Sequence, residues 1–206
     1  MSVIEIPANA LVILMGPPGC GKSTLARRLF RDTQVVSSDE CRRLVSDDAA
    51  DQSATPQAFE VFHALVRGRL SLGRLTVADA TNLHPGSRAR LRHEAARHGA
   101  PTVILALDVP LEVCQRQNLE RARRVRPEVI EMHYARYEEA KAALPEEGYD
   151  AVHFVGPDVQ LAIGPARMKE APHPGAPRHP SPTGGEGLEE VVPAVPIQSS
   201  AEGDSR

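Results

Sequence analysis

Leu11-Val-Ile-Leu-Met-Gly-Pro-Pro-Gly-Cys-Gly-Lys-Ser-Thr24 is the stretch on which the reading of the chain turns. A short apolar run breaks at Gly16, and Gly16, four further residues and Gly21-Lys22-Ser23 complete the pattern G-x-x-x-x-G-K-[ST]. Leu25 to Phe30 continues as an amphipathic helix, so the motif lies between a strand and a helix, the context it requires. A phosphate is held by several N–H donors converging on a small space. Gly16, Gly19 and Gly21 let the backbone curl inward, and the following helix adds its N-terminal amides and dipole. Lys22 is expected to reach the β- and γ-phosphates of ATP and to act in catalysis, with the Ser23 hydroxyl on Mg²⁺. Gly16, Gly19, Cys20, Gly21, Lys22, Ser23 and Thr24 form the expected nucleotide site, with the Cys20 thiol pointing away from the phosphates.

Outward from that stretch, Gln34 to Asp39 reads as a short buried strand ending in polar residues, and Glu40 to Val45 as a helical turn. Ser46 to Pro56 is a loop, and Gln57 to Leu70 has helical spacing. Leu75 to Ala78 is a third strand closing on Asp79, and Pro85 opens a helix that stops at Gly99. Thr102 to Leu107 is apolar throughout, as buried parallel strands are. Leu111 to Glu120 reads as a helix, Pro127 to about Ala143 as another, and Ala151 to Val155 as a fifth strand. Strands alternating with helices predict an α/β fold: a doubly wound parallel sheet of about five strands, of the P-loop NTPase or kinase type, with a helical lid. Ligands of such sheets sit at the carboxyl ends of the strands, where the loop, Asp39 and Asp79 would meet.

The expected boundaries are residues 1–165 for this domain and 166–206 for a tail. From Pro165 the chain carries eight prolines among glycine, serine and alanine, a composition that predicts disorder. The tail holds four basic and six acidic residues, which leaves 20 basic and 21 acidic before it. With a net charge of -3, the chain has no basic face for coating nucleic acid, although gripping one strand end is compatible. Three widely spaced cysteines do not make a disulfide framework, and a reducing cytoplasm fits them. Leu11 to Met15 is too short to cross a membrane.

A kinase needs a base for the acceptor hydroxyl and cations for the transferring phosphoryl group. Asp39 is a candidate base, and Arg42 lies one helical turn further on the same face. Asp39 reads equally well as a helix N-cap. Asp79 is a candidate Mg²⁺ ligand through water, with Thr81 and Asn82 lining an acceptor pocket and Arg88 as a further substrate-binding cation. Asp79 to Asn82 also reads as a plain polar turn. By spacing alone, the run Arg121-Ala-Arg-Arg-Val-Arg126 is a solvated face. His84, His93 and His98 have no partners at metal-ligand spacing.

Ser37-Ser-Asp-Glu-Cys-Arg42, the loop Asp51-Gln-Ser-Ala-Thr55 and Val77-Ala-Asp-Ala-Thr-Asn82 together resemble the kinase module of the bacterial polynucleotide kinase-phosphatases of RNA repair, from the phosphate loop to about Val155. The resemblance implies ATP- and Mg²⁺-dependent transfer of the γ-phosphate to a 5′-hydroxyl polynucleotide end. It implies Asp39 as the general base, Arg42 as the acceptor-site arginine, and Arg121 and Arg124 as catalytic lid arginines. The family pattern has an arginine before the lid asparagine, whereas Gln117 precedes Asn118 here. A small-metabolite kinase of the same architecture remains an alternative, supported by the near-neutral charge and few aromatic side chains. So does a nucleotide-binding switch or ATPase.

Overall fold

The computed structural model describes residues 3–120 and 124–167. The strands are β1 (Val3–Pro7), β2 (Leu11–Met15), β3 (Val35–Ser37), β4 (Thr76–Asp79), β5 (Thr102–Leu107), β6 (Ala151–Val155) and β7 (Gln160–Gly164). The helices are α1 (Lys22–Leu29), α2 (Ser38–Ser46), α3 (Thr55–Ser71), α4 (Pro85–Arg97), α5 (Leu111–Leu119) and α6 (Pro127–Ala143).

β2 is central because it is apolar on both faces. Its neighbours are β4 and β5, and the five-stranded sheet runs β3-β4-β2-β5-β6 with every pairing parallel. Leu11, Ile13 and Met15 point into one layer with Phe62 and Val66 of α3, Leu91 of α4 and Tyr137 of α6. Val12 and Leu14 point into the other with Leu25 and Ala26 of α1, Cys114 of α5 and Ile130 of α6. All five β2 side chains are fully buried, each contributing about 1.5–3 kcal/mol of transfer free energy. The α/β class, the five-stranded parallel sheet and its flanking helices agree with the sequence reading.

Parallel register fixes where the functional loops emerge. Asp79 pairs with Leu14 on one side and Ser37 on the other. The glycine-rich loop starts two residues past Leu14, and Asp39 stands two residues past Ser37. Loop, Asp39 and Asp79 therefore reach the same edge of the sheet.

The sequence reading gave no account of β1 and β7. They pair in parallel as a separate two-stranded sheet, joining the two ends of the described chain. Asn9 exchanges two hydrogen bonds with the backbone of Arg167, at 2.8 and 2.9 Å. Arg167, two residues past the expected boundary at 165, is thus tied to the start of the described chain; the rest of the expected tail lies outside the described residues. Among the described residues, no helix is long and apolar enough to cross a membrane.

Candidate active site

The loop's shape follows from two glycines. Gly19 and Gly21 hold left-handed backbone, φ 85° and 96°, and a Cβ on Gly19 would run into the Cys114 carbonyl of α5. Gly21 is the N-cap of α1 and makes no side-chain cap, which leaves first-turn amides of that helix for an anion. The Cys20 thiol is buried and accepts from the Lys22 ammonium at 3.7 Å. Lys22 folds back over the loop: its ammonium donates to the carbonyls of Gly16 at 2.8 Å and Pro17 at 2.9 Å. Nucleotide phosphates would replace those carbonyls as its acceptors. Thr24 is exposed on the same turn.

Asp79 closes β4 and is 5% exposed. Burial pushes its carboxyl above the usual range against the pull of Lys22 and a hydrogen bond from Ser23, while Asp39 adds to the rise. These couplings place Lys22, Ser23, Asp79 and Asp39 in one electrostatic group. A carboxylate and a hydroxyl are the hard oxygen donors that suit Mg²⁺. Among the described residues, no three His, Cys, Asp or Glu side chains cluster as a metal cage. A Mg²⁺ ion bound with few protein ligands and completed by substrate phosphates fits this donor set.

Asp39 is not a cap. Ser37 is the N-cap of α2, and Asp39 lies in the helix's first turn, where a negative charge suits the dipole. Its carboxylate, 57% exposed, accepts from Arg42 Nη1 at 2.6 Å. Arg42 is buried; the same Nη1 donates to the Ala49 carbonyl at 3.2 Å, and its enclosed Nε has no hydrogen-bond partner among the described residues. Asp51, which terminates the loop after α2, caps Ser53 and feels the Arg42 charge.

The other predicted residues separate. Thr81 gives its carbonyl to the Gly16 amide at 3.2 Å, bracing the loop. Asn82, at φ 52°, is buried and donates its amide to the carbonyls of Leu14 at 2.7 Å and Ala78 at 3.2 Å, stapling β2 to β4. Arg88 is 1% exposed and pairs with Glu147, while its Nη1 donates to the carbonyls of Asn82 and Leu83. It braces the turn after β4 from within, and the expectation of a substrate-facing cation is corrected. Arg124 is exposed between α5 and α6, and Arg121 lies outside the described residues. Asn118 clips the two ends of that connection, its Nδ2 donating to the Val125 carbonyl at 2.7 Å and its Oδ1 accepting from the Val125 amide at 2.9 Å.

Fold and loop together define a nucleotide-binding domain of the P-loop NTPase or kinase fold in the α/β class. A family model described as an AAA domain matches residues 11–144, and the chain belongs to that family. A 110-residue stretch is 34% identical to the mitochondrial iron-sulfur clusters transporter ATM1 of Chaetomium globosum, covering 49% of this chain and 18% of that protein. The corresponding transporter of Aspergillus fumigatus is 30% identical over 93 residues, 42% of this chain and 13% of that one. The chain spans less than a fifth of the length of these curated relatives. Among solved structures, a chain from the Pnkp1/Rnl/Hen1 RNA repair complex aligns with a TM-score of 0.56 and 22% identity, covering 69% of this chain and 46% of that one. At that identity the likeness is one of fold.

Proposed function

We propose that this chain is a kinase that transfers the γ-phosphate of ATP to the 5′-hydroxyl of a polynucleotide end, a nucleic acid repair activity. The observation that carries the reading is the Asp39–Arg42 pair, an exposed carboxylate on a buried guanidinium, beside Asp79 and the loop. Asp39 takes the proton of the attacking hydroxyl. Arg42, fixed by Asp39 and the Ala49 carbonyl, donates to the phosphate that follows that hydroxyl in a polynucleotide. Lys22 moves from the loop carbonyls to the nucleotide phosphates. Ser23 and Asp79 would hold Mg²⁺, which when bound neutralises charge on the phosphates. Arg121 and Arg124 supply positive charge to the transferring group. Residues 1–165 act as the kinase domain and the tail lies outside catalysis; removing residues after Arg167 should leave turnover unchanged, and a loss would overturn that assignment.

The test is incubation with γ-labelled ATP and Mg²⁺ of 5′-hydroxyl oligonucleotides, nucleoside 3′-monophosphates, free nucleosides and sugars. Labelled oligonucleotide and nucleoside monophosphate, with poor use of bare nucleosides, is the expected result. Equal use of nucleosides or sugars would move the assignment to a small-metabolite kinase, the reading favoured by the balanced charge of residues 1–165.

A further inference from the structure

The amino ends of the strands carry a groove of about 420 Å³ that phosphoryl transfer leaves unused. Phe30, where α1 ends, and Leu75, just before β4, are its buried apolar residues; Leu29 and Ile163 flank them, and Ile163 is 51% exposed. Arg28 and Arg31 are its exposed cations. Arg28 donates to the carbonyls of Pro157 and Val159, which are neutral acceptors, so its charge stays unmatched. Ala8 also lines the groove; its amide donates to the Gly164 carbonyl at 3.2 Å, and its neighbour Asn9 holds the backbone of Arg167. The chain therefore passes beyond the described residues beside the groove, and it continues to Arg206. Past Met168, the large apolar residues of that continuation all fall in one stretch, Leu188-Glu-Glu-Val-Val-Pro-Ala-Val-Pro-Ile197. Two carboxylates stand near its start, and after Arg178 the only Lys or Arg is Arg206. Its two prolines restrict the backbone to extended conformations and lower the entropy cost of ordering it.

We propose that this groove is the docking site of the chain's own residues 188–197, with the valines and Ile197 against Leu29, Phe30, Leu75 and Ile163 and the carboxylates of Glu189 and Glu190 toward Arg28 and Arg31. Burial of apolar surface supplies the attraction, and the opposite charges set the direction in which the segment lies. Residues 168–187 reach roughly 60 Å when extended, at about 3 Å per residue, far more than a return to a groove beside their own start requires. The tether holds the segment at a local concentration on the order of 1 mM, so a contact too weak to join separate molecules is populated within one. A second copy or an unrelated protein has no such advantage. α1 starts at the phosphate loop and ends at the groove, so docking leaves the loop open, as a tail outside catalysis requires.

Paramagnetic broadening in the full chain tests it. A nitroxide is attached at Ser199→Cys, just past the segment; Cys20, Cys41 and Cys114 are buried and stay unlabelled. The amide signals of Leu29, Phe30, Leu75 and Ile163 should lose about half of their intensity or more, while those of Gly19 and Ser37 at the opposite edge of the sheet keep theirs. Val191→Ser, Val195→Ser and Ile197→Ser made together, with the same nitroxide, should restore the groove signals, and Glu189→Arg with Glu190→Arg should restore them in part. All of these changes lie in residues 188–199, so the groove keeps its native residues. An equal mixture of isotope-labelled chain without nitroxide and unlabelled chain with it shows whether the segment comes from a second copy. Full groove intensity in the nitroxide chain, broadening that persists in the triple variant, or broadening in the mixture as strong as within one chain would each overturn the assignment.

Discussion

On the nucleotide side of the crevice, Gly19 and Gly21 hold left-handed backbone and α1 offers amides, so the binding surface is main chain. On the side proposed for the acceptor, α2 carries Asp39 and Arg42 and is packed against α3, so the surface on offer is two side chains on a helix. The first needs conformations that only certain residues adopt; the second needs an ordinary helix with the right groups one turn apart. A backbone site is lost with the charge or shape of the loop. A side-chain site is edited residue by residue.

The largest expected effect breaks the nucleotide side. Lys22→Ala should lower turnover by about 10³-fold or more, as loss of a cation at developing charge does. Its ammonium bonds only loop carbonyls and the Cys20 thiol in the described structure, so the melting temperature should hold. Initial rates and a thermal melt of the same preparation decide the matter; near-normal turnover would remove the phosphate role.

On the acceptor side, Asp39→Asn keeps an oxygen to accept from Arg42 yet cannot take the hydroxyl's proton. Turnover should fall by about 10²-fold while the KM for ATP stays put. An active Asp39→Asn enzyme would leave Asp39 as a structural partner of Arg42 alone. Arg42→Lys retains charge but loses the planar fork. It should raise the KM for a phosphorylated acceptor about tenfold, the worth of one charge-assisted hydrogen bond. A parallel rise in the KM for ATP would show that the two sides are not separate.

The same contrast explains what could be read in the sequence. Gly16 to Ser23 lie in one continuous motif, and Pro127 and Ala143 bound α6 as propensity and patterning suggest. Asp39 and Arg42 are a turn apart, so their shared face followed from helix geometry, and the structure adds their ion pair. Arg88 was misplaced because its partner Glu147 is 59 residues away, and local spacing cannot distinguish a buried arginine from a presented one. β1 and β7 escaped because each is short and half exposed, and their partnership spans nearly the whole described chain.

The smallest expected effect sharpens the comparison through pH, by way of the helix that braces α2. His63 of α3 is 7% exposed, with its ring 5.3 Å from Phe62 and 6.1 Å from Phe59. Burial, aided by Arg90 of α4 and Arg67 of its own helix, holds its pKa down at about 4. Because the folded value lies below the unfolded one, the unfolded chain binds the extra proton first as pH falls from about 6.5 toward 4. Stability is therefore lost with falling pH across that window, by about 1–2 kcal/mol at pH 5. Urea unfolding at pH 7.5 and pH 5 measures it, and His63→Phe should remove the largest part of the slope. His133 and His153, also held low by burial, retain a share. Amide exchange should quicken in α2 and α3 before β2, since the protonated ring strains the acceptor-side brace and leaves the central strand packed. An unchanged slope in His63→Phe, or exchange that quickens first in β2, would place the acid-sensitive element elsewhere.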